Sequence, residues 1–183
     1  MHPNKPERPS LLLHTCCGPC STSVLERLAD DFCVTLYFYN PNLDSEVEHT
    51  RRLAAQQAVS DRLGTELIIS SYTPAAFKAV TTGLEAEPEG GVRCARCFAL
   101  RLGETAKCAK EKDFDYFTTS LSVSPHKNAD LLNEVGAQIG AQVDVAYLAA
   151  DFKKQNGYRR SVALAKAFGL YRQNYCGCSH SLR

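Results

Sequence analysis

Residues 11–20 read Leu11-Leu12-Leu13-His14-Thr15-Cys16-Cys17-Gly18-Pro19-Cys20. A short apolar run stopped by a glycine–proline pair reads as a buried strand. Proline then suits the first turn of a helix, where its missing N–H would have had no partner. Val24, Leu25 and Leu28 continue as a helical stripe. A strand running directly into a helix is the first half of a βαβ unit, and the rest of the chain repeats the pattern. Residues 34–39 are rich in β-branched and aromatic side chains and stop at Asn40-Pro41-Asn42, a turn. Asp44-Ser45 caps a helix to about Leu63 with Gly64 as its stop, and Leu67-Ile68-Ile69 supplies a third strand. Residues 74–80 form a short helix. A polar loop over 82–92 delivers Cys94 to a helix running to about Lys112. Residues 114–120 and 143–148 read as strands four and five; Ser124-Pro125 opens the helix between them, to about Ile139, and 159–168 is the last helix before Gly169.

Strands alternating with helices in this way predict an α/β protein: a doubly wound, mostly parallel, five-stranded, Rossmann-like sheet. Ligands of such sheets bind beyond the carboxyl ends of the strands, and the first strand ends at Cys16. The 183 residues fit one domain, read as a polar tail over 1–10 and a single α/β domain over 11–183 whose last part, 152–183, is basic. Hydrophobic residues at 44% and charged ones at 22% disfavour disordered, collagen-like and solenoid classes. No apolar run approaches the length of a membrane span, and the proline-rich start has no signal-peptide character, so a cytoplasmic protein is expected.

Nine cysteines are far more than a cytoplasmic core needs, because structural disulfides do not persist there. Seven are clustered: Cys16, Cys17 and Cys20; Cys94 and Cys97; Cys176 and Cys178. The Cys94–Cys97 spacing lets both thiolates reach one metal, and a helix start favours their anionic form. Cys176 and Cys178 share a face of an extended segment. The two pairs together make a four-thiolate site for zinc, an iron–sulfur cluster or a redox couple. Cys17 and Cys20 form a further two-residue-spaced pair at a helix start. Neighbouring side chains at a strand end diverge, so Cys16 and Cys17 are expected to face different metals. Cys33 and Cys108 read as core packing, and His14 as a satisfied core histidine or a ligand. Asp151 is an ion-pair partner or a site carboxylate.

Charge is divided along the chain. Seven Lys/Arg and no Asp or Glu follow Asp151, leaving 14 basic and 20 acidic residues in 1–151. With no balancing acid in its own segment, the stretch containing Lys153, Lys154, Arg159, Arg160 and Arg172, with Tyr158 available for stacking, is the place to hold a polyanion.

Taken together, Leu13-His14-Thr15-Cys16-Cys17-Gly18-Pro19-Cys20-Ser21, Tyr39-Asn40-Pro41-Asn42, Arg93-Cys94-Ala95-Arg96-Cys97-Phe98, Thr118-Thr119-Ser120-Leu121, Gly157-Tyr158-Arg159-Arg160-Ser161 and the run from Tyr171 to Cys178 resemble the QueH family of epoxyqueuosine reductases. The resemblance covers about residues 11–178. It implies a fold like that of the adenine-nucleotide α-hydrolases, a [4Fe–4S] cluster beside a mononuclear iron, and reduction of epoxyqueuosine to queuosine at the wobble position of tRNA anticodons. On that reading the seven clustered cysteines are metal ligands, and Cys16, Cys17 and Asp151 stand nearest the chemistry. Lys153, Lys154, Tyr158, Arg159, Arg160 and Arg172 meet tRNA, and electrons come from a ferredoxin- or flavodoxin-type donor. Lys153 departs from the family's arginine, keeping the charge but not the bidentate fork. Two other readings are an iron–sulfur tRNA thiolase, for which no glycine-rich phosphate loop is present, and a zinc-stabilised RNA-binding module without catalysis.

Overall fold

The computed structural model describes residues 8–181, so most of the polar tail and the last two residues lie outside the described residues. Five strands, β1 (Ser10–Thr15), β2 (Cys33–Phe38), β3 (Leu67–Ile69), β4 (Tyr116–Thr119) and β5 (Ala146–Tyr147), pair in the order β3-β2-β1-β4-β5. Every pairing is parallel. β1 is central, with Leu12 opposite Thr35 on one side and Phe117 on the other. This is the Rossmann-like sheet that the alternation of strands and helices predicts.

Six α-helices surround the sheet among the described residues: α1 (Gly18–Leu28), α2 (Glu46–Leu63), α4 (Val92–Glu111) and α5 (Ala129–Val143) lie against the strands, α3 (Pro74–Thr81) packs on α4 and α6 (Gly157–Ala167) on α1. The pleat of β1 shows why its apolar run is continuous. Leu12 joins Phe98, Leu102, Phe117 and Leu132 in a core beneath α4 and α5, whereas Leu11 and Leu13 join Val24, Leu28, Val59 and Phe152 beneath α1 and α2, with α6 packed on α1. A strand covered on both faces has no polar side to alternate with.

Two boundaries differ from the sequence reading. α5 starts at Ala129 rather than at Ser124-Pro125, because the Asn128 side chain caps it by accepting the N–H groups of Asp130 and Leu131 at 2.9 and 3.2 Å. Residues 120–123 form a 3-10 turn and 124–127 a hydrogen-bonded turn, which places Lys127 at the sheet's carboxyl edge. The fifth strand shrinks to two residues, leaving 148–156 as an irregular connection. Cys33 is exposed at the amino end of β2, outside both cores, and so is not packing as its composition suggested; Cys108 is partly buried against the α4 side.

Candidate metal centre

β1 and β4 flank the point where strand order reverses, and their carboxyl ends carry the first thiol group and the turn at Leu121. The Sγ atoms of Cys16, Cys17 and Cys20 all lie within 4.8 Å of one another, and those of Cys16 and Cys17 are 3.6 Å apart. The two adjacent cysteines therefore face one point, contrary to the divergence that strand alternation implies. Alternation holds only within the pleated ladder, and the ladder ends at Thr15. Cys17 is already the N-cap of α1 (φ −175°, ψ 158°), and the first turn of that helix brings Cys20 to the same place. A tetrahedral ion with sulfurs at about 2.3 Å has ligand edges of about 3.8 Å, so this spacing suits one ion.

The three thiols share protons. Hydrogen bonds from Cys17 and Cys20 hold the Cys16 thiol well below the usual range, against the opposing effect of burial. The same bonds push Cys17 up to about 12 and raise Cys20, so one member ionises first and the others donate to it. Gln173 Nε2 also donates to Cys17 Sγ at 2.8 Å, and its Oε1 is buried with no hydrogen-bond partner among the described residues. A polar donor on the sulfur is the outer-shell contact that orients a metal ligand.

The second group sits across the same edge. Cys94 and Cys97 occupy the first turns of α4, where the Gly90 N–H donates to Cys94 Sγ at 3.2 Å. The buried Arg93 guanidinium folds the polar loop around itself by donating to the carbonyls of Leu84, Glu85 and Glu87. Burial pushes the Cys97 thiol up to about 12 and raises Cys94, and the nearby Cys176 and Cys178 add to both. Those two cysteines lie on the segment after α6. Gly177 between them has φ +119°, and a Cβ there would meet Leu43 Cδ2 at 2.4 Å. The buried Arg52 holds this segment, donating to the carbonyls of Cys176 and Tyr175 at 2.9 and 3.2 Å while pairing with Glu48 at 2.6 Å. Unlike the first group, these four thiols do not crowd within 4.8 Å among the described residues.

A cavity of about 380 Å³ opens between the groups, with Cys16, Cys20 and Cys176 in its wall and Tyr158, Arg172 and Lys127 around it. Lys127 Nζ donates to Cys176 Sγ at 3.4 Å. Burial pulls its pKa down, but the facing sulfurs of Cys176 and Cys16 outweigh burial and the value is raised, so lysine remains an ammonium.

The other residues singled out in the sequence divide. Tyr158 and Arg172 line the cavity; Asp151, Lys153, Lys154, Arg159 and Arg160 do not. The Asp151 carboxylate accepts from Lys153 Nζ at 3.0 Å, with Lys154 at 4.0 Å. Arg160 is balanced after all. Glu26 on α1, which packs against α6, takes its guanidinium in two contacts of 2.7 and 2.9 Å, a pairing 134 residues apart in sequence and invisible to a segment-by-segment charge count. His14 is a satisfied core histidine: Nε2 donates to the Tyr39 carbonyl at 3.1 Å and Nδ1 meets Thr119 Oγ1 at 2.9 Å, and burial lowers its pKa to about 3. Sequence reasoning missed Gln173, Lys127, Arg52 and Arg101. Only Gln173 carried a signal, its place in the run leading to Cys176.

Sheet order and thiol placement define the class: a Rossmann-like α/β protein with a group of cysteines at the carboxyl end of its central strand. Solved structures share this fold. They include the U34-tRNA thiolase NcsA of Methanococcus maripaludis with its [4Fe–4S] cluster (TM-score 0.57, 13% identity, 97% of this chain and 63% of that one). Another is a predicted subunit of tRNA methyltransferase from Methanocaldococcus jannaschii (TM-score 0.54, 10% identity, 85% and 74%). Sequence identifies the family. Residues 11–183 match the model of epoxyqueuosine reductase QueH, and the chain belongs to that family. It is 44% identical over 182 residues to epoxyqueuosine reductase QueH of Streptococcus pyogenes, covering 96% of this chain and 71% of that protein. With the Thermotoga maritima protein of the same name it shares 31% over 176 residues, covering 94% and 90%. No helix among the described residues is long and apolar enough to cross a membrane.

Proposed function

We propose that this epoxyqueuosine reductase takes the epoxyqueuosine nucleoside of tRNA into the cavity between its two thiol groups and reduces the epoxide there to the alkene of queuosine. The observation that carries the reading is the convergence of Cys16, Cys17 and Cys20, with Cys16 and Cys20 in the cavity wall together with Cys176 of the second set. The first group, spaced for one ion, is the place for a mononuclear iron; Cys94, Cys97, Cys176 and Cys178, more widely set, are the place for a [4Fe–4S] cluster. When bound, these metals supply Lewis acidity and one-electron transfer.

Opening an epoxide to an alkene breaks two C–O bonds, consumes two electrons and two protons, and releases the oxygen as water. The electrons come from an external donor of ferredoxin or flavodoxin type. The chain's own residues bind and orient. Tyr158 offers a ring face to an unpaired base, and Arg172 and Lys127 offer positive charge to phosphate and to developing oxygen charge. Gln173 steadies the Cys17 sulfur, and Arg52 holds the backbone that carries Cys176. Asp151, tied to Lys153, orders the connection after β5. Lys153, Lys154 and Arg159 lie outside the cavity, where they meet the tRNA backbone, while the guanidinium of Arg160 is held by Glu26.

The test uses anaerobically reconstituted protein, epoxyqueuosine-containing tRNA and a low-potential reductant, with the digested nucleosides weighed by mass spectrometry. Loss of one oxygen is expected, from protein holding about five irons and about four labile sulfides. Iron-replete protein that leaves the nucleoside intact, or zinc-only protein that converts it, refutes the proposal.

A further inference from the structure

Arg101 has no place in the mechanism above, yet it is among the most deeply buried side chains of the protein, at 1% exposure. A guanidinium keeps its proton at any physiological pH, and an isolated buried charge is costly. Of the two other buried arginines, Arg52 is paired with Glu48 and Arg93 donates to three carbonyls; Arg101 has no carboxylate partner among the described residues and only one oxygen acceptor. Its Nη2 donates to a neutral acceptor, Asn40 Oδ1, at 2.6 Å, and its Nε is buried without a partner. The groups within reach of the charge are two sulfurs, the buried His14 and the Lys127 ammonium, none of them a carboxylate. Arg101 stands one helical turn after Cys97 on α4, and its charge acts on both Cys97 and Cys16, one from each thiol group. Asn40, in the Asn40-Pro41-Asn42 turn that the sequence marks only as a loop, continues the connection. Its Nδ2 donates to the Thr15 carbonyl at 2.9 Å, and Thr15 is bonded to Cys16. The chain Cys97–Arg101–Asn40–Thr15–Cys16 spans the two groups.

We propose that Arg101 is a positioning residue that makes one electrostatic unit of the two thiol groups: its guanidinium balances anionic sulfur on both sides, and Asn40 anchors it to the backbone that carries Cys16. The inference rests on the metal-binding reading of those cysteines. Adding an electron to thiolate-bound metal increases negative charge, so a fixed cation between the groups favours the reduced state, and removing it makes reduction harder.

The experiment measures iron content and midpoint potential of reconstituted holoprotein by spectroelectrochemical titration, without substrate. Arg101→Gln is expected to make reduction about tenfold less favourable, a fall of about 59 mV for a one-electron couple. Arg101→Lys, which keeps the charge, is expected to stay within threefold of wild type. Asn40→Asp provides a second route if Arg101→Gln does not fold. It sets a carboxylate against the guanidinium, neutralises it in place, and should shift the potential in the same direction. A folded Arg101→Gln or Asn40→Asp protein with full iron and an unshifted potential overturns the proposal, as does Arg101→Lys shifting as far as Arg101→Gln. Wild-type protein that takes up no iron is a different failure, that of the metal-binding reading itself.

Discussion

Gly18→Ala tests how the three-thiol group is held. Gly18 lies between Cys17 and Pro19, at the first turn of α1, where that helix meets the backbone of α2. A Cβ on Gly18 would lie 2.3 Å from the Ala55 carbonyl oxygen and 2.7 Å from its carbon. That is about 1 Å inside van der Waals contact, and the obstacle is main chain, which no rotamer change can clear. α1 and α2 must separate, a form of overpacking that costs about 3 kcal/mol, offset by about 0.5–1 kcal/mol from alanine's better helix propensity. The net loss of about 2 kcal/mol should lower the urea midpoint by about 1 M for a slope of about 2 kcal/mol/M. Metal binding should suffer more, because a metal site tolerates ligand displacements of only about 0.2 Å and Cys17 and Cys20 flank the moved residue. Gly103→Ala in α4 is the internal control. Its Cβ meets nothing within 4 Å, so the same substitution there should leave stability unchanged or raise it by up to about 1 kcal/mol. Circular dichroism during urea unfolding, together with iron analysis after reconstitution, reads both variants. A Gly18→Ala protein that unfolds at the wild-type midpoint and retains its iron would refute the reasoning.

Gln173→Leu removes the N–H that reaches Cys17 Sγ and should weaken metal binding by about 10–100-fold in a chelator competition, with an unchanged constant contradicting the role given to it. Arg172→Gln should flatten the dependence of log tRNA affinity on log salt by roughly 0.7–0.9. Arg160→Gln should leave the slope alone, because its guanidinium is already occupied by Glu26, whereas Glu26→Gln should free it and steepen the slope; equal effects of the two arginine changes would show that the pairing does not matter. Gly177→Ala places a side chain at φ +119° against Leu43, a strain of about 1–3 kcal/mol borne by the segment between Cys176 and Cys178. It should lower cluster content, seen as lost absorbance near 400 nm, more than it lowers the unfolding midpoint; full absorbance would count against the assignment of those cysteines.

What the sequence determined by itself was whatever depends on local chemistry. The apolar run over residues 11–13, the glycine–proline break after Cys17 and the recurring strand–helix alternation sufficed for a parallel sheet, because burial on both faces and helix starts leave their marks within a few residues. The grouping of seven cysteines was equally legible, since two-residue spacing is itself a ligand geometry. Tertiary structure decided the rest. Asn128 outcompeted Ser124-Pro125 as the start of α5 because a side-chain cap there satisfies two N–H groups at once, and the displaced turn put Lys127 beside Cys176. Cys16 and Cys17 converge because the ladder ends before them, an end set by strand partners far along the chain. Glu26 reaches Arg160 across two packed helices, and Arg101, one turn after Cys97, is joined through Asn40 to the backbone beside Cys16, 81 residues before Cys97. Such contacts leave no local trace, because the energy of a buried charge depends on what folding brings beside it and not on its neighbours in the chain.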